Sequence, residues 1–422
     1  MIDTFADIIR HRRSNLKLTM DKLAEKARVN KSIISRIENG EVKKPEITTI
    51  KSLAEALEIT YDEYIRIYIS LERNAEVILK ILQEAISISC PAPLITEIAT
   101  RYLELPLVDS YDAIEQIFTT ANDVNDTAIK LELFKKVVSY SREHGVMTYI
   151  AKGMYQVYMI ERNDFSKLNS LYHYGKNILN YANFLNDNDR IVLHYCLAVH
   201  AYSLMLYEDS LQFSEYVINH TNKDEYKAAT INNIIFCLYN LKRFEESRIY
   251  LEDYKKIDLP YVNGNSKMFE GFLTLNTGNV ELALLQLESY LKLSSEYNLV
   301  YVVSELMNIY LTKSDFDSAL TLLVHESQMK ISLNDLRTTP DKWARLAFFY
   351  QLVGKLFLLQ DVNKAFEYYL KSAKEYLNIG LINNALESLA FINMAIIEDS
   401  SRFDVNIAIR TNEMYFTIIN KK

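Results

Sequence analysis

Apolar residues along the 422-residue chain recur mostly at three- and four-residue spacing, with polar residues between them. This spacing places apolar side chains on one face of an α-helix. Glycine and proline, which interrupt helices, number only nine and six, far below average usage. The pattern therefore predicts an all-α protein with little or no sheet, and the length predicts two or more domains or an elongated array.

Residues 3–70 have the pattern of five short helices. Thr19 and Asn30 are typical amino-terminal caps for the second and third helices, and Gly40 is a typical stop for the third. A three-residue turn, Arg28-Val29-Asn30, joins these two helices, and Val29 should pack between them. Two short helices joined in this way predict a helix-turn-helix.

The third helix carries the candidate DNA contacts, because the second helix of such a pair lies in the major groove. Its apolar face is predicted to contain Ile33, Ile34 and Ile37, which leaves the polar positions outward. Short polar side chains permit close approach to bases, whereas lysines beyond the helix suit phosphates. The predicted DNA-binding residues are Lys31, Ser32, Ser35, Arg36, Lys43 and Lys44.

Positive charge is concentrated in this opening segment. The segment from Arg10 to Lys51 contains twelve Lys or Arg residues and five Asp or Glu residues, a positive excess of seven. The whole chain, by contrast, has a net charge of −8. Such an excess predicts an anionic partner for this segment. The alternative interpretation is that Arg10, Arg12, Arg13 and the lysines only solvate a helical bundle.

The run LTMDKLAEKARVNKSIISRIENGEVKKP resembles the Xre/Cro type of helix-turn-helix, above all in its I-S-x-I-E-N-G signature. Met20 stands where many relatives have Gln, and Arg28 stands where many have Gly. A left-handed backbone at Arg28 would cost about 1 kcal/mol. The resemblance implies that this segment binds double-stranded DNA.

A second pattern repeats through the rest of the chain. Short similar segments align with successive spacings of 42, 37, 36, 36 and 46 residues, by subtraction of their positions, and each unit predicts a helix, a polar turn and a second helix. Such pairs bury their apolar faces only by stacking on neighbours. The aligned positions are Phe165, Tyr207, Phe244, Val280, Phe316 and Val362.

These units resemble degenerate tetratricopeptide repeats (TPR). The closest copy is GFLTLNTGNVELALLQLESYL, with Gly271, Gly278, Ala283 and Tyr290 at the consensus positions. We therefore expect an amino-terminal Xre/Cro-type helix-turn-helix domain followed by a right-handed TPR-like α-solenoid.

In such a solenoid the first helix of each unit lines the concave face, and the alignment assigns aromatic and asparagine side chains to it. An Asn amide can hydrogen-bond a peptide backbone, and aromatic pockets can select side chains. The competing interpretation is that the asparagines are solvated and the rings belong to the core. The predicted peptide-binding residues are Tyr195, Tyr202, Asn232, Phe236, Tyr239, Phe272, Asn276 and Asn308.

The combined architecture resembles the peptide-sensing regulators grouped as Rap, Rgg, NprR, PlcR and PrgX and the arbitrium receptors of phages, with NprR-like or arbitrium-receptor-like members nearest. The resemblance implies a homodimeric transcriptional regulator of a palindromic operator. A short signalling oligopeptide would control it, in quorum sensing or in phage lysis-lysogeny communication. The expected parts are residues 1–70 for DNA binding, 71–128 as a helical linker with imperfect first repeats, and 129–422 as the peptide-binding and dimerisation array with a carboxy-terminal cap.

No nucleotide-binding, zinc-protease or serine-hydrolase motif occurs in the sequence. The cysteines Cys90, Cys196 and Cys237 are scattered, as expected of reduced thiols in a cytoplasmic protein. No leader or apolar run of roughly 18 residues is present. We expect no enzyme activity, cofactor, metal or membrane partner. Two alternatives stay open: an array that binds a partner protein, and a Rap-like modulator of response-regulator phosphorylation.

Overall fold

The computed structural model describes residues 4–106, 108–335 and 338–420, with the backbone alone at Phe165. Over these residues the chain forms helices, turns and loops and contains no β-strand. The all-α prediction is therefore confirmed for the described chain. By packing, the chain forms two compact units: residues up to 160 together with 181–184, and residues 161–180 together with 185–422. The functional boundaries near residues 70 and 128 stay predictions.

The first unit begins with the five predicted helices. Thr19 and Asn30 cap the second and third, since Thr19 Oγ1 accepts from the Lys22 N–H at 3.3 Å and Asn30 Oδ1 accepts from the Ser32 N–H at 2.9 Å. The helices of this unit are α1 Phe5–Asn15, α2 Met20–Ala27, α3 Lys31–Glu38, α4 Ile47–Leu57, α5 Tyr61–Leu71, α6 Ala75–Ser87, α7 Ala92–Leu103, α8 Ser110–Asp123, α9 Thr127–Glu143 and α10 Met147–Glu161.

The α2–α3 turn has the backbone that the sequence predicted. Arg28 has φ 53° and ψ 37°, which is the left-handed region that glycine adopts more easily. The Arg28 N–H donates to the Glu25 carbonyl, and the Val29 N–H donates to the Ala24 carbonyl. These two hydrogen bonds end α2. Val29 itself is half-buried.

The second unit consists of paired helices in tandem. Short 3-10 helices of this unit occupy Phe165–Lys167, Leu322–His325 and Ser400–Arg402, and a fourth, Leu179–Phe184, has its last four residues assigned to the first unit. The α-helices are α11 Leu168–Ile178, α12 Asp187–Ser203, α13 Tyr207–His220, α14 Asp224–Asn240, α15 Phe244–Tyr254, α16 Val262–Leu275, α17 Val280–Leu291, α18 Leu299–Thr312, α19 Phe316–Thr321, α20 Glu326–Ser332, α21 Pro340–Phe357, α22 Val362–Asn378, α23 Ile382–Glu398 and α24 Val405–Asn420.

The predicted repeat phase is confirmed residue by residue. Each of the six aligned positions is the first residue of the second helix in its pair, the earliest of them opening a 3-10 helix. The long final spacing contains an additional helix, α20, which lies between α19 and α21. The second unit is therefore a TPR-like array of stacked helix pairs.

Small residues set the close approach of helices within a pair. A Cβ at Gly271 of α16 would lie 2.5 Å from Leu287 Cδ2 of α17, and Leu287 is fully buried. Ala283 is also fully buried, and Gly278 takes a φ of +82° in the turn between the two helices. Gly271 and Ala283 therefore allow the two helices to pack closely, and Gly278 forms the turn between them, as expected for these positions of the TPR consensus.

We expect Gly271→Ala to be less stable than Gly264→Ala by about 1–3 kcal/mol, the usual cost of overpacking a core. Both glycines lie in α16, so both variants gain helix propensity, and the gain at Gly264 is smaller because it lies in the first turn. A Cβ at Gly264 has no atom within 4 Å, whereas one at Gly271 meets Leu287. Urea denaturation followed by circular dichroism measures the difference, and equal stabilities would contradict the packing described for this pair.

Among the described residues, no helix combines the length and apolar character needed to cross a bilayer.

Candidate functional site

The exposed face of α3 is the first candidate site. Ile34 and Ile37 are 0% and 1% exposed and anchor the helix in the domain core, while Lys31, Ser32 and Arg36 are exposed. The prediction that Ile33 joins the apolar face is wrong, because its side chain is 38% exposed. The face that α3 presents is therefore polar and basic with one aliphatic residue.

A buried ion pair fixes the carboxy-terminal end of α3. Glu38 is 2% exposed, and Arg13 of α1 donates to its carboxylate from Nε and Nη2 at 2.6 and 2.7 Å. Arg10 donates to the Glu38 carbonyl, and Arg12 pairs with Glu63. The hydrogen bond to Glu38 raises the pKa of the Arg13 guanidinium. These three arginines therefore contact partners within the domain, whereas the alternative interpretation of the sequence was that they only solvate it.

The predicted DNA-binding cations differ in how strongly they are engaged. Lys31 lies 2.8 Å from Asp21, and Arg36 lies 3.5 Å from Glu41. Both pairs are largely exposed, and such pairs contribute little. Lys43 is exposed and makes no ion pair with any described residue.

Two predicted positions have a more structural setting. Lys44 Nζ lies 2.7 Å from the carboxylate of Glu72, whose side chain is 3% exposed. Ser32 Oγ donates to Asn30 Oδ1 at 2.9 Å, while Ser35 is half-buried on the same helix. Lys44 is therefore less available to a phosphate than Lys43.

The second candidate site is a cavity of about 400 Å³ in the array, here called the aromatic groove. Four of the eight predicted peptide-binding residues line it, on α12 and α14: Tyr195, Tyr202, Asn232 and Phe236. Its seven aromatic residues are Tyr195, Tyr202, Phe236, Tyr254, Tyr261, Tyr297 and Tyr301.

Hydrogen bonds hold most polar groups of the aromatic groove. Asn298 Nδ2 donates to Asn265 Oδ1 at 2.6 Å, and Tyr301 Oη donates to Asp341 Oδ2 at 2.7 Å. Burial raises the pKa of Tyr195 to about 12 and that of Tyr301 well above its ordinary value, so both hydroxyls stay protonated donors. Asn232 makes no side-chain hydrogen bond to a described residue, which leaves its amide available.

A neighbouring cavity of about 270 Å³, here called the arginine cavity, shares two residues with the aromatic groove. Tyr202 and Asp341 line both cavities, and Arg345 of α21 lines the second. Tyr207, Asn240, Tyr376 and Asn384 are among its other residues. The two cavities are therefore neighbours that share part of their lining.

The other four predicted peptide-binding residues line neither cavity. Phe272 is 2% exposed and packs with Tyr239, whose ring centroid is 5.9 Å away. Asn276 is exposed and donates to the Phe272 carbonyl at 3.0 Å. Asn308 is half-buried on α18.

Several residues of the aromatic groove and the arginine cavity were not predicted from the sequence, although the repeat pattern could have indicated some of them. Asn265 and Tyr301 lie seven residues, about two helical turns, before the predicted peptide-binding residues Phe272 and Asn308. Extending the repeat phase two turns towards the amino terminus would have found both. Asp341 and Arg345 had no such signal, because α21 is longer than the other first helices and follows the additional helix α20.

Comparison with known proteins identifies the amino-terminal domain. Residues 9–64 match the Helix-turn-helix family. A 61-residue segment is 44% identical to the HTH-type transcriptional repressor RghR of Bacillus subtilis (strain 168). That segment is 14% of this chain and spans 45% of the repressor, less than half of its length.

Three solved structures have partial similarity to this chain, all at low sequence identity. A STAND protein with a tetratricopeptide repeat sensor, from Pyrococcus horikoshii, is 12% identical with a TM-score of 0.46, over 95% of this chain and 65% of that one. Rap in complex with competence and sporulation factor is 12% identical with a TM-score of 0.40, over 78% and 99%. PlcR of Bacillus thuringiensis, in complex with the peptide PapR7 and DNA, is 13% identical with a TM-score of 0.26, over 93% and 99%.

The family match, the left-handed α2–α3 turn and the solvent-exposed polar face of α3 agree with one another. The amino-terminal part of this all-α chain is a helix-turn-helix domain.

Proposed function

We propose that the protein is a transcriptional regulator that binds duplex DNA with α3. The observation that chiefly supports this is the helix-turn-helix domain itself, with α3 held by buried Ile34 and Ile37 and its basic face in solvent. Ser32 and Ser35 allow close approach to base edges, and Lys31, Arg36 and Lys43 suit bases or phosphates. Exposed Ile33 suits apolar contact with a thymine methyl group. Such a regulator acts in the cytoplasm.

We expect Lys43→Ala to weaken binding to all duplexes about equally and to lower the slope of log affinity against log salt concentration by about 1. The reason is that one phosphate contact, and the release of about one counterion, is lost. Lys256→Ala, which removes an exposed lysine of the array, is the matched control.

Fluorescence anisotropy at several salt concentrations measures these slopes, with duplexes selected from a random pool by the full chain. Lys44→Ala should change the slope less, because Lys44 is engaged by Glu72. Equal salt-dependence slopes for wild type and Lys43→Ala would show that Lys43 does not contact a phosphate. Failure to select any duplex would contradict the DNA-binding proposal.

We further propose that a short signalling oligopeptide binds in the aromatic groove. The cavity volume of about 400 Å³ falls within the usual range for ligand sites. Asn232 has an uncommitted amide that can both donate to and accept from a peptide backbone. Seven aromatic residues around it supply apolar surface for side chains. Quorum sensing or phage lysis-lysogeny communication is the biological setting that this proposal suggests.

A homodimer is the third part of the proposal. Along α24, Val405, Ile409, Phe416 and Ile419 are 51–64% exposed and fall on one side of the helix at 100° per residue. An apolar stripe here suits burial against the same stripe of a second copy, and a two-fold dimer suits a palindromic operator.

Control of DNA binding needs a ligand with different affinities for two states of the protein. A difference of 1–3 kcal/mol between the states changes DNA affinity roughly 5- to 150-fold. Peptide bound in the aromatic groove would supply this difference by favouring one arrangement of the helix pairs that line it.

A further inference from the structure

Arg345 lines the arginine cavity and is half-buried, and its guanidinium has no hydrogen-bonding partner among the described residues. Its side chain is 18% exposed, and its nearest acidic atom is Glu305 Oε2, 3.8 Å from Nη1. That distance exceeds a hydrogen bond. The backbone of Arg345 is fixed, since its carbonyl accepts from Ser304 Oγ at 3.3 Å.

The contrast with Arg13 shows what a structural arginine looks like in this chain. Arg13 makes two hydrogen bonds of 2.6 and 2.7 Å to the buried carboxylate of Glu38. A buried guanidinium normally needs such partners, because taking the charge out of water costs several kcal/mol. Arg345 has a comparable degree of burial and lacks such hydrogen bonds, with Glu305 only at ion-pair distance, so its donors remain available to a further acceptor.

The acidic groups near Arg345 make no hydrogen bond to it. Burial raises the pKa of the Glu305 carboxyl, and the positive charge of Arg345 partly offsets this effect. Asp341 accepts from the hydroxyls of Tyr301 and Thr339. Neither carboxylate therefore neutralises Arg345 through a direct hydrogen bond.

We propose that Arg345 binds a carboxylate of the peptide ligand. This inference rests on the proposed peptide-binding function of the aromatic groove and adds the chemistry of one ligand group. The planar guanidinium fork matches a carboxylate with two parallel hydrogen bonds. Because Tyr202 and Asp341 line both cavities, Arg345 lies in the cavity next to the aromatic groove and shares part of its lining. The carboxylate belongs either to the peptide's carboxy terminus or to an Asp or Glu side chain.

The test uses the full chain and an equimolar library of random hexapeptides with free carboxy termini. Peptides retained by the protein are identified by mass spectrometry and resynthesised with a terminal carboxamide or with Asp and Glu replaced by Asn and Gln. Isothermal titration then compares affinities. We expect one of these neutralisations to weaken binding roughly 10- to 150-fold, the range for hydrogen bonds to charged groups.

Arg345→Gln provides the second arm. This variant should bind the original peptide as weakly as wild type binds the neutralised one, and it should no longer distinguish the two peptides. A purely structural arginine would weaken both peptides alike and leave their ratio unchanged. Arg243→Gln, which changes an exposed arginine of the same array, should retain the wild-type ratio.

The outcomes separate the two proposals. Sensitivity to the terminal amide assigns the carboxylate to the carboxy terminus, and sensitivity to side-chain neutralisation assigns it to Asp or Glu. Peptides that bind the wild type with equal affinity in charged and neutral forms would overturn the role of Arg345 and leave peptide binding standing. Retention of no peptide at all would overturn the peptide-binding proposal and the carboxylate site with it.

Discussion

Replacing Glu38 with alanine is expected to lower the free energy of unfolding of the helix-turn-helix domain by about 3–5 kcal/mol. The substitution leaves the Arg13 guanidinium, 17% exposed, without the carboxylate that accepts two of its hydrogen bonds. It also removes the tie between α1 and the end of α3. Urea denaturation, and duplex binding measured by anisotropy, should both show the loss.

Two further variants make this result specific. Glu41→Ala removes the exposed partner of Arg36 and should change stability by less than about 1 kcal/mol. Arg13→Met combined with Glu38→Leu replaces the ion pair by apolar side chains and should recover much of the loss, because no buried charge is left unpaired. A Glu38→Ala protein as stable as Glu41→Ala would show that the pair does not hold α3.

The double substitution Ile409→Lys and Phe416→Lys is expected to convert a dimer into a monomer and to weaken operator binding by about 10²-fold or more. The two side chains are 51% and 64% exposed on α24, so the free chain tolerates lysine, whereas an interface would have to bury two charges. A dimer gains from binding two half-sites through a high effective concentration, and a monomer loses that gain.

Sedimentation velocity measures the oligomeric state, and anisotropy with the selected duplex measures affinity. Asn406→Lys is the control, because Asn406 is exposed on the same helix about 100° from Val405 and outside the apolar stripe. It should remain dimeric and bind DNA as wild type does. A wild-type chain that sediments as a monomer, or a double variant that stays dimeric, would rule out the α24 interface.

Local signals account for what the sequence predicted well. The caps at Thr19 and Asn30 and the left-handed turn at Arg28 depend on a few neighbouring residues, and all three are present. The second helices of the repeats begin at the aligned positions because each of them follows a short turn, which is polar in most of the repeats. These features need no knowledge of distant partners.

Tertiary pairing accounts for what the sequence did not show. Nothing local to Arg13 indicates that its partner is Glu38, 25 residues later, and nothing local to Ile33 indicates that this isoleucine is exposed. The repeat phase placed Asn232 and Phe236 in the aromatic groove, yet it failed at Asp341 and Arg345, where α20 interrupts the regular spacing. Side chains brought together across several repeats are the part of a site that a periodic pattern predicts least well.

The most direct test of the central claim is the affinity of the full chain for its selected duplex with and without a peptide retained from the hexapeptide library. Peptide control of a DNA-binding protein predicts a change of roughly 5- to 150-fold in the dissociation constant, lost in Asn232→Ala. The same dissociation constant at saturating peptide would contradict the account, leave a DNA-binding domain beside an array of another role, and favour a partner protein as the array's ligand.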